Sequence, residues 1–198
     1  FSEKLASLGE IYVNDAFSCS HRDHASISKI TKYIPSYGGI QINTELNALN
    51  KITTDIKKPI TCIIGGSKIS SKINILKNLI DKFDNLIIVG AMANNFFIYN
   101  NFKVGKSLVE EDTYEIIKQI YDEANKNNCE IIIPEDCKIG VNFEGDGENK
   151  NLEQIEDKDI ILDIGSETIK KIKNIINLSK TVLWNGPAGY FENKNFLN

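Results

Sequence analysis

From Pro59 onward, short apolar runs alternate with longer amphipathic stretches, and that alternation admits few folds. The spacing predicts strands at Ile60–Ile64, Leu86–Val89, Glu130–Ile133, Asp159–Asp163 and Thr181–Trp184. All are rich in β-branched residues and of strand length, and several end in Gly, Pro or Asn. Between them the pattern predicts helices near Ser67–Phe83, Met92–Asn100, Glu111–Asn127 and Ser166–Asn177. In the last, Ile169, Ile172, Ile175 and Ile176 share one face, with Lys170, Lys171 and Lys173 on the other. Strands and helices in this order build βαβ units, so the expected class is α/β: a doubly wound, mostly parallel, Rossmann-like sheet covered on both faces. Ligands of such sheets bind beyond the carboxyl ends of the strands.

The first segment reads differently. Ile11–Val13 suggests a strand end, followed by a polar stretch with Arg22, then punctuation at Pro35 and Gly38–Gly39. Leu46, Leu49 and Ile52 fall at helical spacing, so a connecting helix is expected there, with a domain boundary around Ser36–Asn43. Gly140–Asn151 reads as a polar loop without EF-hand ligand spacing.

Several function classes are disfavoured early. No run of about 18 apolar residues is present, and the first residues show no signal-peptide pattern. A net charge of -4 argues against general nucleic-acid binding. Cys19, Cys62, Cys129 and Cys137 form neither a CxxC pair nor a zinc-ligand cluster, so they read as reduced, mostly buried thiols of a cytoplasmic protein. The chain opens on Phe1 and its only methionine is Met92, so it reads as an internal fragment.

Chemistry concentrates at three places. At Ile60–Lys72 a strand runs into Gly65–Gly66 and then an expected helix, with Lys68 and Lys72 four residues apart on one face. Two cations at a helix start are unfavourable alone, because dipole and like charge both oppose them. A bound phosphate reverses both effects. In so lysine-rich a chain, two solvated lysines are the competing explanation. Gly105–Lys106–Ser107 imitates the end of a P-loop, but the motif's earlier glycine would fall at Asn100 and no strand precedes it. Gly65–Gly66 also lacks the third glycine of a dinucleotide fingerprint.

The second place is Asn185–Glu192, a Gly/Pro-rich stretch directly after an expected strand. Such a loop can wrap an aromatic base, and Glu192 can accept from ribose hydroxyls; a plain connection with a solvated acid competes. The third is Arg22, the sole arginine, set between His21 and His24. Its planar fork suits carboxylate or phosphate in a way lysine cannot imitate. The histidines themselves read as local hydrogen-bonding groups.

At these residues the chain resembles the phosphoglycerate kinase family. Six segments carry the resemblance in order: Tyr12–Phe17 running into Ser20–Ser26, Gly65–Lys72, Val89–Phe97, Gly105–Asp112, Leu162–Lys171 and Trp184–Glu192. The sequence departs from the family at Ser18 and Cys19, where Gly and Thr are usual.

The resemblance implies an ATP-dependent phosphotransferase of two α/β domains. Residues 1–36 would end the phosphoglycerate-binding domain, 37–54 would connect, and 55–198 would form an incomplete nucleotide-binding domain. It implies that Arg22 binds phosphoglycerate, that Lys72 contacts the nucleotide phosphates and that Lys68 supports the transferring group. Glu192 would hold the ribose, while Asn185, Pro187 and Gly189 line the nucleotide. Expected partners are ADP or ATP, 3-phosphoglycerate and 1,3-bisphosphoglycerate, with neither nucleic acid nor membrane, and the protein is expected to be a monomer. Magnesium would arrive with the nucleotide, its protein ligand lying in a glycine-rich segment beyond Asn198. The isolated chain is therefore expected to be inactive. A non-catalytic nucleotide-binding module on the same fold is the alternative.

Overall fold

The computed structural model describes residues 1–54 and 57–196. The chain divides into two compact units, Phe1–Ile56 and Lys57–Asn198. The boundary expected between residues 54 and 55 adjoins residues outside the described set.

The first unit contains helix α1 (Ser2–Ala6), strands β1 (Tyr12–Asn14) and β2 (Ser36–Gly38), and helix α2 (Ile40–Thr54). The two strands pair in parallel. Asp15 fixes the start of α2, because its Oδ1 accepts from the Ile42 N–H at 3.0 Å. An acid at this position satisfies a donor the helix cannot satisfy itself and complements its dipole. Ile42 is buried, whereas Leu46 and Leu49 stay partly exposed; the Ile52 side chain lies outside the described set. Arg22 sits exposed among short turns that run from Phe17 to Lys32.

The second unit contains β3 (Ile60–Ile64), α3 (Ile73–Ile80), β4 (Asn85–Ile88), α4 (Ala93–Tyr99), α5 (Tyr114–Asn127) and β5 (Glu130–Ile132). It continues through β6 (Asp136–Gly140), β7 (Glu148–Asn151), β8 (Ile160–Ile164), α6 (Ser166–Leu178) and β9 (Thr181–Asn185). Four strands form a parallel sheet in the order β5-β4-β3-β9. The α/β class is as expected. Every residue of β3 is buried, which is why it reads as a nearly continuous apolar run, broken only by Thr61. Ile63, Ile87 and Val89 pack with Ile132 and Ile172, so the predicted apolar stripe of α6 faces the sheet.

Three expectations are corrected here. The Asp159–Asp163 run does form a strand, β8, but it joins a second sheet ordered β7-β6-β8 with antiparallel pairing. Gly140–Asn151 is not all loop, because β7 lies within it and pairs with β6. The third concerns the helix expected from Ser67. Its α-helical part begins only at Ile73, after a 3-10 turn over Ser70–Lys72. Lys72 has φ -111 and ψ -2, outside helical geometry.

Cys62, Cys129 and Cys137 are buried, and burial pushes the Cys62 thiol up to about 12 and that of Cys129 to about 11. Such thiols are poor nucleophiles. Among the described residues no helix is long and apolar enough to cross a membrane.

Candidate functional site

The strand order of the parallel sheet reverses at β3. The chain moves outward through β4 and β5, then returns to place β9 on the other side. At such a point the loops that follow the strands frame a crevice beyond their carboxyl ends. The residues there are Gly65–Gly66 after β3, Gly90–Ala91 after β4, and Asn185 at the end of β9 with Gly186–Gly189 after it.

These loops are bonded to one another. The Gly65 N–H donates to the Asn185 carbonyl at 2.8 Å, and the Gly90 N–H to that of Ala188 at 2.9 Å. Tyr190 N–H donates to the Leu162 carbonyl at 2.7 Å, tying the last loop to β8. A Cβ on Gly65 would run into the Pro187 carbonyl, and Gly186 has φ +87, so both positions require glycine. The resulting cleft measures about 560 Å³. Its wall includes Gly66, Ser67, Asn94, Phe97 and Leu108 on one side and Pro187, Gly189 and Glu192 on another.

Lys72 folds back toward the strand ends. Its Nζ donates to the Gly65 carbonyl at 2.8 Å and to Asn185 Oδ1 at 2.7 Å. The ammonium lies 3.5 Å from where a Gly66 Cβ would stand, at the edge of the cleft. Lys68 is exposed in the preceding loop and is not among the cleft-lining residues. The two lysines therefore do not share a helical face as the spacing predicts. Pro187, Gly189 and Glu192 line the cleft, whereas Lys72 and Asn185 are bonded to each other beside Gly65 and are not among the lining residues, and Arg22 belongs to the other unit.

Sequence reasoning assigned no role to Glu110, which holds the turn that precedes α3. Its carboxylate accepts from the Ser70 N–H at 3.1 Å and from the Ser70 hydroxyl. The first donors of the turn thus already face an internal anion. Glu110 is itself held by Asn95, whose Oδ1 accepts from the Glu110 N–H at 2.9 Å. The Ser70 hydroxyl holds the Glu110 carboxyl below its ordinary range against partial burial, helped by the Ser70 and Ile69 N–H groups and the Lys68 charge. A depressed carboxyl stabilises the fold above its unfolded-state pKa, and the contribution disappears as pH falls through the folded value. Glu110→Ala is thus expected to lose about 1 kcal/mol near neutral pH. The difference from the parent protein should shrink on acidification, and melting temperatures across that range measure it. A gap independent of pH would remove the charge from the explanation. Both segments appear among the six quoted above, but only the fold puts Ser70 beside Glu110.

Among the described residues no group of three or more His, Cys, Asp or Glu side chains is placed to hold a metal ion. The chemistry available is a flexible ammonium beside a largely apolar slot, a set suited to an anionic group joined to a ring.

A family model described as phosphoglycerate kinase matches residues 1–198. A protein of that name from Wolbachia pipientis subsp. Culex pipiens (strain wPip) is 50% identical over 199 residues, covering 100% of this chain and 50% of the relative. One from Bartonella bacilliformis is 44% identical, covering 97% and 48% respectively. The chain thus spans about half the length of the curated relatives it matches. Among solved structures, phosphoglycerate kinase from Coxiella burnetii superposes with a TM-score of 0.83 at 32% identity, covering 98% of this chain and 52% of that one. The structure from Pyrococcus horikoshii gives 0.80 at 23% identity, covering 98% and 50%, a likeness of fold alone.

Proposed function

This chain belongs to the phosphoglycerate kinase family, and on that footing we propose that the protein carrying it moves a phosphoryl group reversibly between 1,3-bisphosphoglycerate and ADP. The products in one direction are 3-phosphoglycerate and ATP, a glycolytic step in the cytoplasm. The observation that carries this reading is the Lys72 ammonium at the edge of the β3/β9 cleft, bonded to Gly65 and Asn185.

Phosphoryl transfer asks a protein chiefly for positioning and for neutralising charge spread over the transferred group. Lys72 is in reach of both tasks. Its present acceptors are neutral oxygens, so an anionic phosphate near Gly66 would compete well for the ammonium. Lys68, free of the helix, supplies a second cation to the transferring group. Pro187 and Gly189 shape the slot for the nucleotide, and Glu192, exposed at its rim, accepts from the ribose hydroxyls. Arg22 binds phosphoglycerate in the first unit. No general base is needed, because the attacking oxygen is already anionic. Magnesium enters with the nucleotide phosphates, which are its usual ligands, and no described residue is given a role toward it.

A coupled assay for ATP formation from 1,3-bisphosphoglycerate and ADP tests the proposal in the protein that carries this sequence. Nucleotide binding without turnover would favour the non-catalytic module instead. Arg22→Lys is expected to raise the Michaelis constant for the phosphoglycerate about tenfold or more while leaving that for the nucleotide within about twofold, since charge is kept and bidentate geometry lost. An effect confined to the nucleotide would place Arg22 on the wrong substrate.

A further inference from the structure

Lys68 lacks the restraints that hold Lys72. The Lys72 ammonium is bonded to Gly65 and Asn185. The Lys68 side chain is exposed and, among the described residues, makes no hydrogen bond or ion pair. A long side chain without a partner keeps its rotamer freedom and is directed only by its backbone and by nearby charge.

That backbone is held from two sides. Within the turn, the Lys68 carbonyl accepts from the Ser71 hydroxyl at 3.0 Å, and Ile69 is fully buried. From outside, the Glu110 carboxylate takes both the N–H and the hydroxyl of Ser70. Glu110 is in turn anchored to the core. Its N–H donates to Oδ1 of Asn95, a buried residue of α4, and the buried Thr113 hydroxyl donates to the same oxygen at 3.4 Å. The Lys68 charge also acts on the Glu110 carboxyl, so the two groups share one neighbourhood. A continuous set of bonds thus runs from α4 through Glu110 and Ser70 to the turn that carries Lys68.

We propose that Glu110 is a positioning residue for phosphoryl transfer: by holding Ser70 it directs Lys68 toward the transferring group. The inference rests on the phosphoryl-transfer reading of the site and on the place given there to Lys68. Glu110 acts through the lysine and does not touch the substrate, because its carboxylate is taken up by Ser70 and would repel a phosphate. Support of this kind matters because small displacements of a group that meets the transition state cost rate steeply.

Steady-state kinetics on Glu110→Ala, Lys68→Ala and the double variant, in the protein that carries this chain, test this. Glu110→Ala is expected to lower kcat about tenfold while the nucleotide KM stays within about twofold, since Pro187, Gly189 and Glu192 are untouched. In the Lys68→Ala background the same substitution should change kcat by less than about twofold. A clamp that served the fold alone would lower kcat by the same factor in both backgrounds, and that result would overturn the proposal. Glu110→Gln keeps an acceptor for the Ser70 N–H and should recover kcat to within about threefold of the parent protein. A glutamine variant as slow as the alanine variant would overturn it too. Should Glu110→Ala fail to fold, Glu110→Asp, one methylene shorter, takes its place in the same cycle. Near-normal turnover in Lys68→Ala would leave Glu110 nothing to position, whereas absence of turnover in the parent protein would sink the phosphoryl-transfer reading itself.

Discussion

Replacing Lys72 with alanine is expected to lower turnover of the protein carrying this chain by about two to three orders of magnitude. Loss of one group that meets charge developing in a transition state typically costs about 2.7–4 kcal/mol. Sequence spacing alone would add that the fold should be unharmed, since a cation leaves a helix start. The structure changes that half of the expectation. Lys72 bonds the Gly65 carbonyl and Asn185 Oδ1, so the variant should also lose about 1 kcal/mol of stability. Steady-state kinetics and a thermal melt separate the two effects. Near-normal turnover would take Lys72 out of the chemistry, whatever the melt shows.

The largest stability effect is expected at Asp136. This carboxylate is buried and sits across the start of α6. It accepts from the Glu167 N–H at 3.0 Å, the Thr168 N–H at 2.8 Å and the Thr168 hydroxyl at 2.7 Å. The hydroxyl oxygen in turn accepts from the Glu135 N–H at 2.9 Å and that of Asp136 at 3.2 Å. Asp136→Ala would leave several donors buried and unpaired at the positive end of a helix. A loss of about 3 kcal/mol is expected. Urea unfolding measures it, and Thr168→Val gives a second arm. Because the two side chains share bonds, the double variant should lose less than the sum of the singles. A loss below about 1 kcal/mol for Asp136→Ala would mean that water replaces the carboxylate at the helix start.

The same residues show what was legible in the sequence and what was not. β3 was readable because a strand buried on both faces is mostly apolar, and Ile60–Ile64 carries only Thr61 as a polar member. The apolar stripe of α6 was readable because period 3.6 marks a helix with one covered face. β6 was not. Its sequence, Asp-Cys-Lys-Ile-Gly, has little of a strand's composition. Asp136 is buried there only because a helix more than thirty residues on needs a cap. The start of α3 was missed for the same reason, since the carboxylate bonded to the turn before it comes from Glu110, forty residues away. Local pattern reports which faces are covered, whereas bonds between distant polar groups exist only after folding. The Gly-Gly and Gly-Pro loops were legible because turns demand particular residues. That Asn94 Oδ1 finds no donor among the described residues was not, as orientation within an amide leaves no trace in composition.

The chain's single tryptophan stands at the end of β9, where its ring is 58% exposed and its Nε1–H donates to the Gly186 carbonyl at 2.8 Å. Trp184 therefore serves as a native chromophore attached to the loop that follows β9. Indole emission follows the polarity and hydrogen bonding around the ring, and here one bond joins the ring to the loop that packs on Gly65. Shifts in that loop can be followed optically without a label, and this chain contributes no second indole to the signal.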